Sequence, residues 1–245
     1  LVLYLGCDTK PPGQQQVERS RVLQSETTDV SNLIRAAHDA LPSDQWSTIQ
    51  AWVEEVNSAT SDSVKIAYLK QIAGSWYANG HPAISGHYAQ EIAEIEGTEE
   101  AWSIAGTTFA ICLQKDGDQK VKTFCQEKGI QALENAISLN PSEDSYRVNL
   151  ALLYTDFPPP NEPMKGVLML RELEEMFPES ALVLTSLAQL AIRTGQFERA
   201  TQRLAQALEL EPNNKKAVCL MAQAQAGVGN QAEAQAFEQR CRSNQ

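Results

Sequence analysis

Two-helix hairpins stacked into an all-α solenoid are what this sequence predicts, and three observations lead there. Residues 181–214, ALVLTSLAQLAIRTGQFERATQRLAQALELEPNN, carry apolar side chains three and four apart in two segments. Thr194-Gly195-Gln196 separates the segments and Pro212 stops the second, which makes a hairpin of 34 residues. The same frame returns upstream and downstream, and self-similarity at a fixed period marks a repeat array. Finally, 42% of the 245 residues are hydrophobic, enough for a core and too many for a disordered chain. A single hairpin cannot bury its own apolar stripe, so each unit must draw stability from its neighbours.

Taken in order, residues 1–7, LVLYLGC, are apolar and lack a basic start, as the tail of a longer apolar segment would. Residues 8–28 are rich in Gln, Ser and Thr without a sustained apolar period, and are expected to be a flexible leader. Residues 29–65 hold two weaker helical patterns, 30–41 and 44–58. The second carries Trp46, Ile49, Val53 and Val56 behind a candidate cap at Ser43, and together they suit a degenerate capping hairpin. Five units then follow. Unit 66–98 carries Leu69, Ile72, Ala73, Trp76 and Ile92. Unit 99–146 carries Trp102, Ala105, Phe109, Leu133 and Ala136, with surplus residues around KDGDQKVKTF that lengthen its turn or second helix. Unit 147–180 holds Leu150, Leu153, Gly166, Leu170 and Leu173, and its Pro158-Pro159-Pro160 run with Pro163 reads as a stiff inter-helix turn. Unit 181–214 is the clearest, and 215–245 repeats its frame with Met221, Ala222, Gly229 and Ala234 but no closing Pro.

Leu184, Leu187, Ala188, Ala191, Ala200, Leu204, Ala207 and Pro212 fall where tetratricopeptide repeats place their signature residues, and only Ala191 is undersized. The sequence therefore resembles the tetratricopeptide repeat (TPR) family over about three quarters of its length. The resemblance implies a right-handed superhelical solenoid of TPR hairpins whose first helices line a concave face. Carried over by position, that face comprises Lys70, Tyr77, Ser103, Thr107, Thr155, Thr185, Gln189, Arg193, Lys216 and Gln223. Such polar, mostly neutral side chains suit an extended peptide backbone; otherwise they simply solvate a surface while a partner docks elsewhere. The Lys/Asn/Arg clamp by which some family members grip a chaperone's carboxylate tail is missing. Gly74, Thr185 and Gln189 stand at three of its positions, which counts against a cytosolic chaperone adaptor.

Cys7, after Leu-Gly and an apolar run, resembles the lipobox of bacterial lipoproteins, in which that cysteine is lipidated. Tyr4 and Leu5 depart from the usual pattern, and an uncleaved anchor or a buried apolar strand start are the alternatives. Cys112 and Cys125 lie about equally far from the Asp116–Gln119 turn, and Cys219 and Cys241 from Gly229-Asn230. Level positions on an antiparallel hairpin permit a disulfide in each, if the compartment is oxidising; reduced, the four are small apolar packing residues.

The remaining composition excludes several functions. With 31 acidic and 20 basic side chains the net charge is −11, and no basic patch offers itself to nucleic acid. His38, His81 and His87 share no ligand spacing. The acidic groups at Glu91, Glu94 and Glu96 or at Glu172, Glu174 and Glu175 read as solvated helix faces. No phosphate loop, nucleophile elbow, zinc spacing or haem attachment is present. No catalytic residue, metal or cofactor is therefore expected. The expectation is a non-catalytic protein–protein interaction scaffold, tethered by its N-terminus to a membrane of the bacterial cell envelope and facing the periplasm or the surface. It would serve as accessory subunit of a membrane complex. A periplasmic chaperone holding client peptides, of the cytochrome-biogenesis or secretion type, and a cytosolic TPR adaptor are the alternatives.

Overall fold

The computed structural model describes residues 28–243, so the Cys7 lipobox and all but the last residue of the 8–28 leader lie outside the described residues. Twelve α-helices occupy these residues: α1 (Val30–His38), α2 (Ser43–Ser58), α3 (Asp62–Ala78), α4 (Pro82–Glu96), α5 (Glu99–Lys115), α6 (Gln119–Leu139), α7 (Asp144–Asp156), α8 (Lys165–Met176), α9 (Ala181–Arg193), α10 (Phe197–Leu210), α11 (Lys215–Val228) and α12 (Gln231–Ser243). No strand occurs among them. The fold class is all-α, of the helical solenoid type.

The helix boundaries follow local chemistry. Asp29, Ser61, Ser180 and Asn214 each accept a backbone N–H at a helix start, satisfying a donor the helix itself cannot pair. Gly195 and Gly229 close α9 and α11 with φ of 72° and 92°, a left-handed turn that favours glycine. At α2 the expected cap is corrected. The helix starts at Ser43 itself, and Pro42, with φ −58° and ψ 142°, takes the boundary position without a side-chain cap bond. The surplus in unit 99–146 goes into the helices rather than the turn. α5 has 17 residues and α6 has 21, joined through residues 116–118.

The chain divides into two compact units, one comprising residues up to Ile95 with Thr108–Lys128, the other Glu96–Thr107 with Gly129–Gln245. In the first, Trp76 is fully buried among Ala37, Ile49, Ile72 and Ile84, with Trp46 and His81 edge-on to its ring at 6.5 and 5.5 Å. The weak helices α1 and α2 thus supply core to this unit. Phe109 meets Phe124 edge-on at 5.9 Å, and lies so close to Gly86 that a Cβ there would come within 2.7 Å of its ring. In the second unit α7 to α12 pack in chain order, each hairpin on the next. Val148, Ala151, Leu170, Leu173, Val183 and Leu187 form one core cluster, and Leu184, Ala188, Ala200, Leu204, Ala207, Ala217 and Met221 belong to another. The small residues let the helices approach closely. The tightest backbone approach is at Gly166, where a Cβ would lie 2.3 Å from the Ala151 carbonyl oxygen and 2.4 Å from the Thr155 nitrogen of α7.

Candidate functional site

The residues expected on a binding face are distributed as follows. In the first unit Lys70 and Tyr77 are exposed, and the Lys115 ammonium stands 5.3 Å from the centre of the Tyr77 ring. In the second, Ser103, Thr107 and Thr155 are half-buried, and the two threonine hydroxyls donate back into their own helices, to Ser103 O and Ala151 O. Lys216 and Gln223 are exposed. Thr185 is 1% exposed, so its hydroxyl is not offered to a ligand at the surface. The cause is packing, because α9 is flanked by both α7 and α11, the first helices of the hairpins before and after it. The Thr185 hydroxyl and Gln189 Oε1, one helical turn apart, are buried without a hydrogen-bond partner among the described residues.

Both cysteine pairs are joined. Cys112 bonds Cys125 across α5 and α6 with Cα atoms 6.3 Å apart, and Cys219 bonds Cys241 across α11 and α12 with Cα atoms 5.0 Å apart. Of the two, the first pair is fully buried and the second lies nearer the surface.

The second unit has an outward surface centred on α8. Leu168 and Met176 of this helix, and Met164 at its N-terminal boundary, are each more than half exposed. A cleft opens on either side of this helix. One, of about 350 Å³, lies between α6, α7 and α8 and is lined by Ile137, Leu150, Met169 and Met176 with Arg147, Glu134 and Glu172 at its edges. The other, of about 290 Å³, lies between the α7/α8 and α9/α10 hairpins near their turns. Val167, Leu187 and Leu190 give it an apolar floor, and Arg171, Arg193, Arg199 and Arg203 surround it. Ala191 belongs to the same lining. It is the undersized residue of the repeat pattern, and the room that a larger side chain would take is part of this cleft. The second cleft brings together two of the sequence-derived site residues, Thr155 and Arg193. Its other three arginines escaped sequence reasoning. The available signal was charge, since Arg199 and Arg203 share one face of α10 in a chain dominated by carboxylates.

Among the described residues no three His, Cys, Asp or Glu side chains are placed to hold a metal ion, and no helix is long and apolar enough to cross a membrane. No family model matches the sequence, and no curated protein matches it. Among solved structures the chain is similar to a tetratricopeptide repeat protein from Parabacteroides merdae, with 12% identity over 88% of this chain and 79% of that one and a TM-score of 0.54. It is also similar to a thermophilic TPR protein of Thermus thermophilus, with 14% identity over 73% of this chain and 91% of that one and a TM-score of 0.53. This chain has the tetratricopeptide repeat fold. At such identities the likeness speaks for the fold alone.

Proposed function

We propose that the protein is a non-catalytic protein–protein interaction scaffold, held at a bacterial cell-envelope membrane by its N-terminus as accessory subunit of a larger assembly. The observation that carries the scaffold reading is the exposure of Met164, Leu168 and Met176 at the start of α8 and along it, beside the two clefts that Met164 and Met176 help to line. Large apolar side chains left exposed near one another cost solvation free energy, and surfaces of this kind mark interaction sites. Partners docking there would bury them, with arginine and methionine at the contact as in many interfaces. The envelope placement draws support from two features. Two intramolecular disulfides suit an oxidising compartment, and Cys7 resembles a lipidation site.

The test is to solubilise native membranes in mild detergent, purify the chain and record native mass spectra, in parallel for wild type and a Leu168→Glu/Met176→Glu variant. Stoichiometric membrane-protein partners and lipid on Cys7 are expected with the wild type, and loss of the partners with the variant. Recovery only from the soluble fraction with an unmodified Cys7 overturns the envelope placement. Partners held equally by the variant overturn the role of the α8 face.

A further inference from the structure

We propose that the arginine-lined cleft between the α7/α8 and α9/α10 hairpins is a docking site for an acidic, amphipathic segment of a partner protein. The inference rests on the scaffold reading and adds to it the chemistry of the partner. Its basis is a local reversal of charge. The chain carries a net charge of −11, yet four of its ten arginines line this one cleft, and no Asp or Glu does. Two of the four are engaged from outside the lining. Arg193 Nη1 lies 2.6 Å from Asp156 Oδ1, and Arg203 donates from Nε and Nη2 to the two oxygens of Glu174 at 2.8 and 3.2 Å. The other two have no carboxylate partner among the described residues. Arg199 Nη1 donates to the neutral Gln196 Oε1 at 2.8 Å, and Arg171 is exposed on α8. Two guanidinium groups are therefore available, and their planar donors match carboxylates in a bidentate fashion.

The floor specifies the rest of the ligand. Val167, Leu187, Leu190 and the small Ala191 leave an apolar recess of about 290 Å³. That volume takes a side chain or two and no folded domain, so the occupant is a short segment with an apolar residue flanked by acidic ones. The chain's own leader does not qualify, because residues 8–28 contain three acidic and three basic side chains and offer no acidic excess.

The test uses the purified full chain and fluorescence anisotropy. One probe is a labelled eight-residue peptide of glutamate interrupted by two leucines; the second has lysine in place of glutamate; the third is vesicles of phosphatidylglycerol. Expected are binding of the glutamate peptide that weakens as salt rises and no binding of the lysine peptide. Arg171→Glu/Arg199→Glu should weaken the glutamate peptide at least about tenfold. Ala191→Phe, which fills the recess without changing charge, should weaken it as well, and circular dichroism verifies that each variant is folded. Absence of glutamate-peptide binding, equal binding of the lysine peptide, or indifference to the charge reversal overturns the proposal. Binding of the vesicles without the peptide assigns the cleft to a membrane surface and overturns it too. The scaffold reading fails separately. Partners from membranes that depend on Leu168 and Met176 but tolerate Arg171→Glu/Arg199→Glu leave that reading standing and remove this one. Peptide binding without any membrane partner does the reverse.

Discussion

Replacing Gly166 with alanine adds one methyl group where α8 crosses α7, and the geometry there leaves no room for it. An ideal Cβ would lie 2.3 Å from the carbonyl oxygen of Ala151, 2.3 Å from the hydroxyl of Thr155 and 2.4 Å from the Thr155 nitrogen. Two of the three are backbone atoms and cannot rotate away. The hydroxyl is itself tied to Ala151 O at 2.8 Å. Separating them to the closest approach that real Cβ atoms show, 3.0 Å, requires the helices to part by at least about 0.7 Å. Such overpacking in a dense interior costs about 1–3 kcal/mol, sometimes more. Helix propensity opposes this, since alanine is better than glycine in a helix by about 1 kcal/mol. Because the clash involves backbone on both sides, the upper end of the range applies and the net loss should be about 2 kcal/mol. Gly74, in the middle of α3 with no atom within 4 Å of an added Cβ, isolates the propensity gain. Urea denaturation followed at 222 nm is the assay. Gly166→Ala should lower the midpoint and Gly74→Ala should raise it slightly, with unchanged slopes. A Gly166→Ala protein as stable as wild type would refute the close-crossing argument.

Three further perturbations have expected outcomes. Thr185→Val, nearly isosteric, removes a buried hydroxyl that has no hydrogen-bond partner among the described residues and should raise stability by about 1 kcal/mol in the same assay; a loss would mean that the hydroxyl is satisfied in solution. Reduction of the disulfides, which close loops with sequence separations of 13 and 22 residues, should cost about 3 kcal/mol each by loop-closure entropy. The check is denaturation with and without reductant, beside a thiol count on the unfolded protein. For His81, burial holds the imidazole below its ordinary value of 6.5, with the Asp116 carboxylate opposing. The unfolded chain then takes up the proton first, so this contribution to stability is complete above pH 6.5 and is lost as the pH falls from there through the folded value. His81→Gln should therefore flatten the decline in stability between pH 7.5 and 5, and an unchanged slope would refute the assignment.

Much of this architecture was legible in the sequence because hairpin repeats are local. Thr194-Gly195-Gln196 separated two amphipathic segments, and the break is a turn with Gly195 at positive φ. The signature positions Leu184, Leu187, Ala188, Ala200, Leu204 and Ala207 are all buried, since a period of three and four puts them on the faces that neighbouring helices cover. The α2 start was one residue off, because Pro42 and Ser43 both suit a helix boundary and only the backbone decides between them. Thr185 was assigned to an open face by its place in the repeat. Its burial depends on how closely the flanking helices α7 and α11 approach, which no single repeat encodes.

Helix identity, hairpin pairing and the levelling of the cysteines thus follow from the order of residues, because each depends on contacts within one repeat of the chain. The functional surface does not. Arg171, Arg193, Arg199 and Arg203 come from three helices and two hairpins, and whether they face one another depends on the phase of each helix and the packing between hairpins. The sequence also showed that Ala191 is undersized, while the cleft that it helps to form exists only once α8 and α10 stand around it. Short-range periodicity carries the first kind of information, and the second is created by close packing between elements distant in the chain.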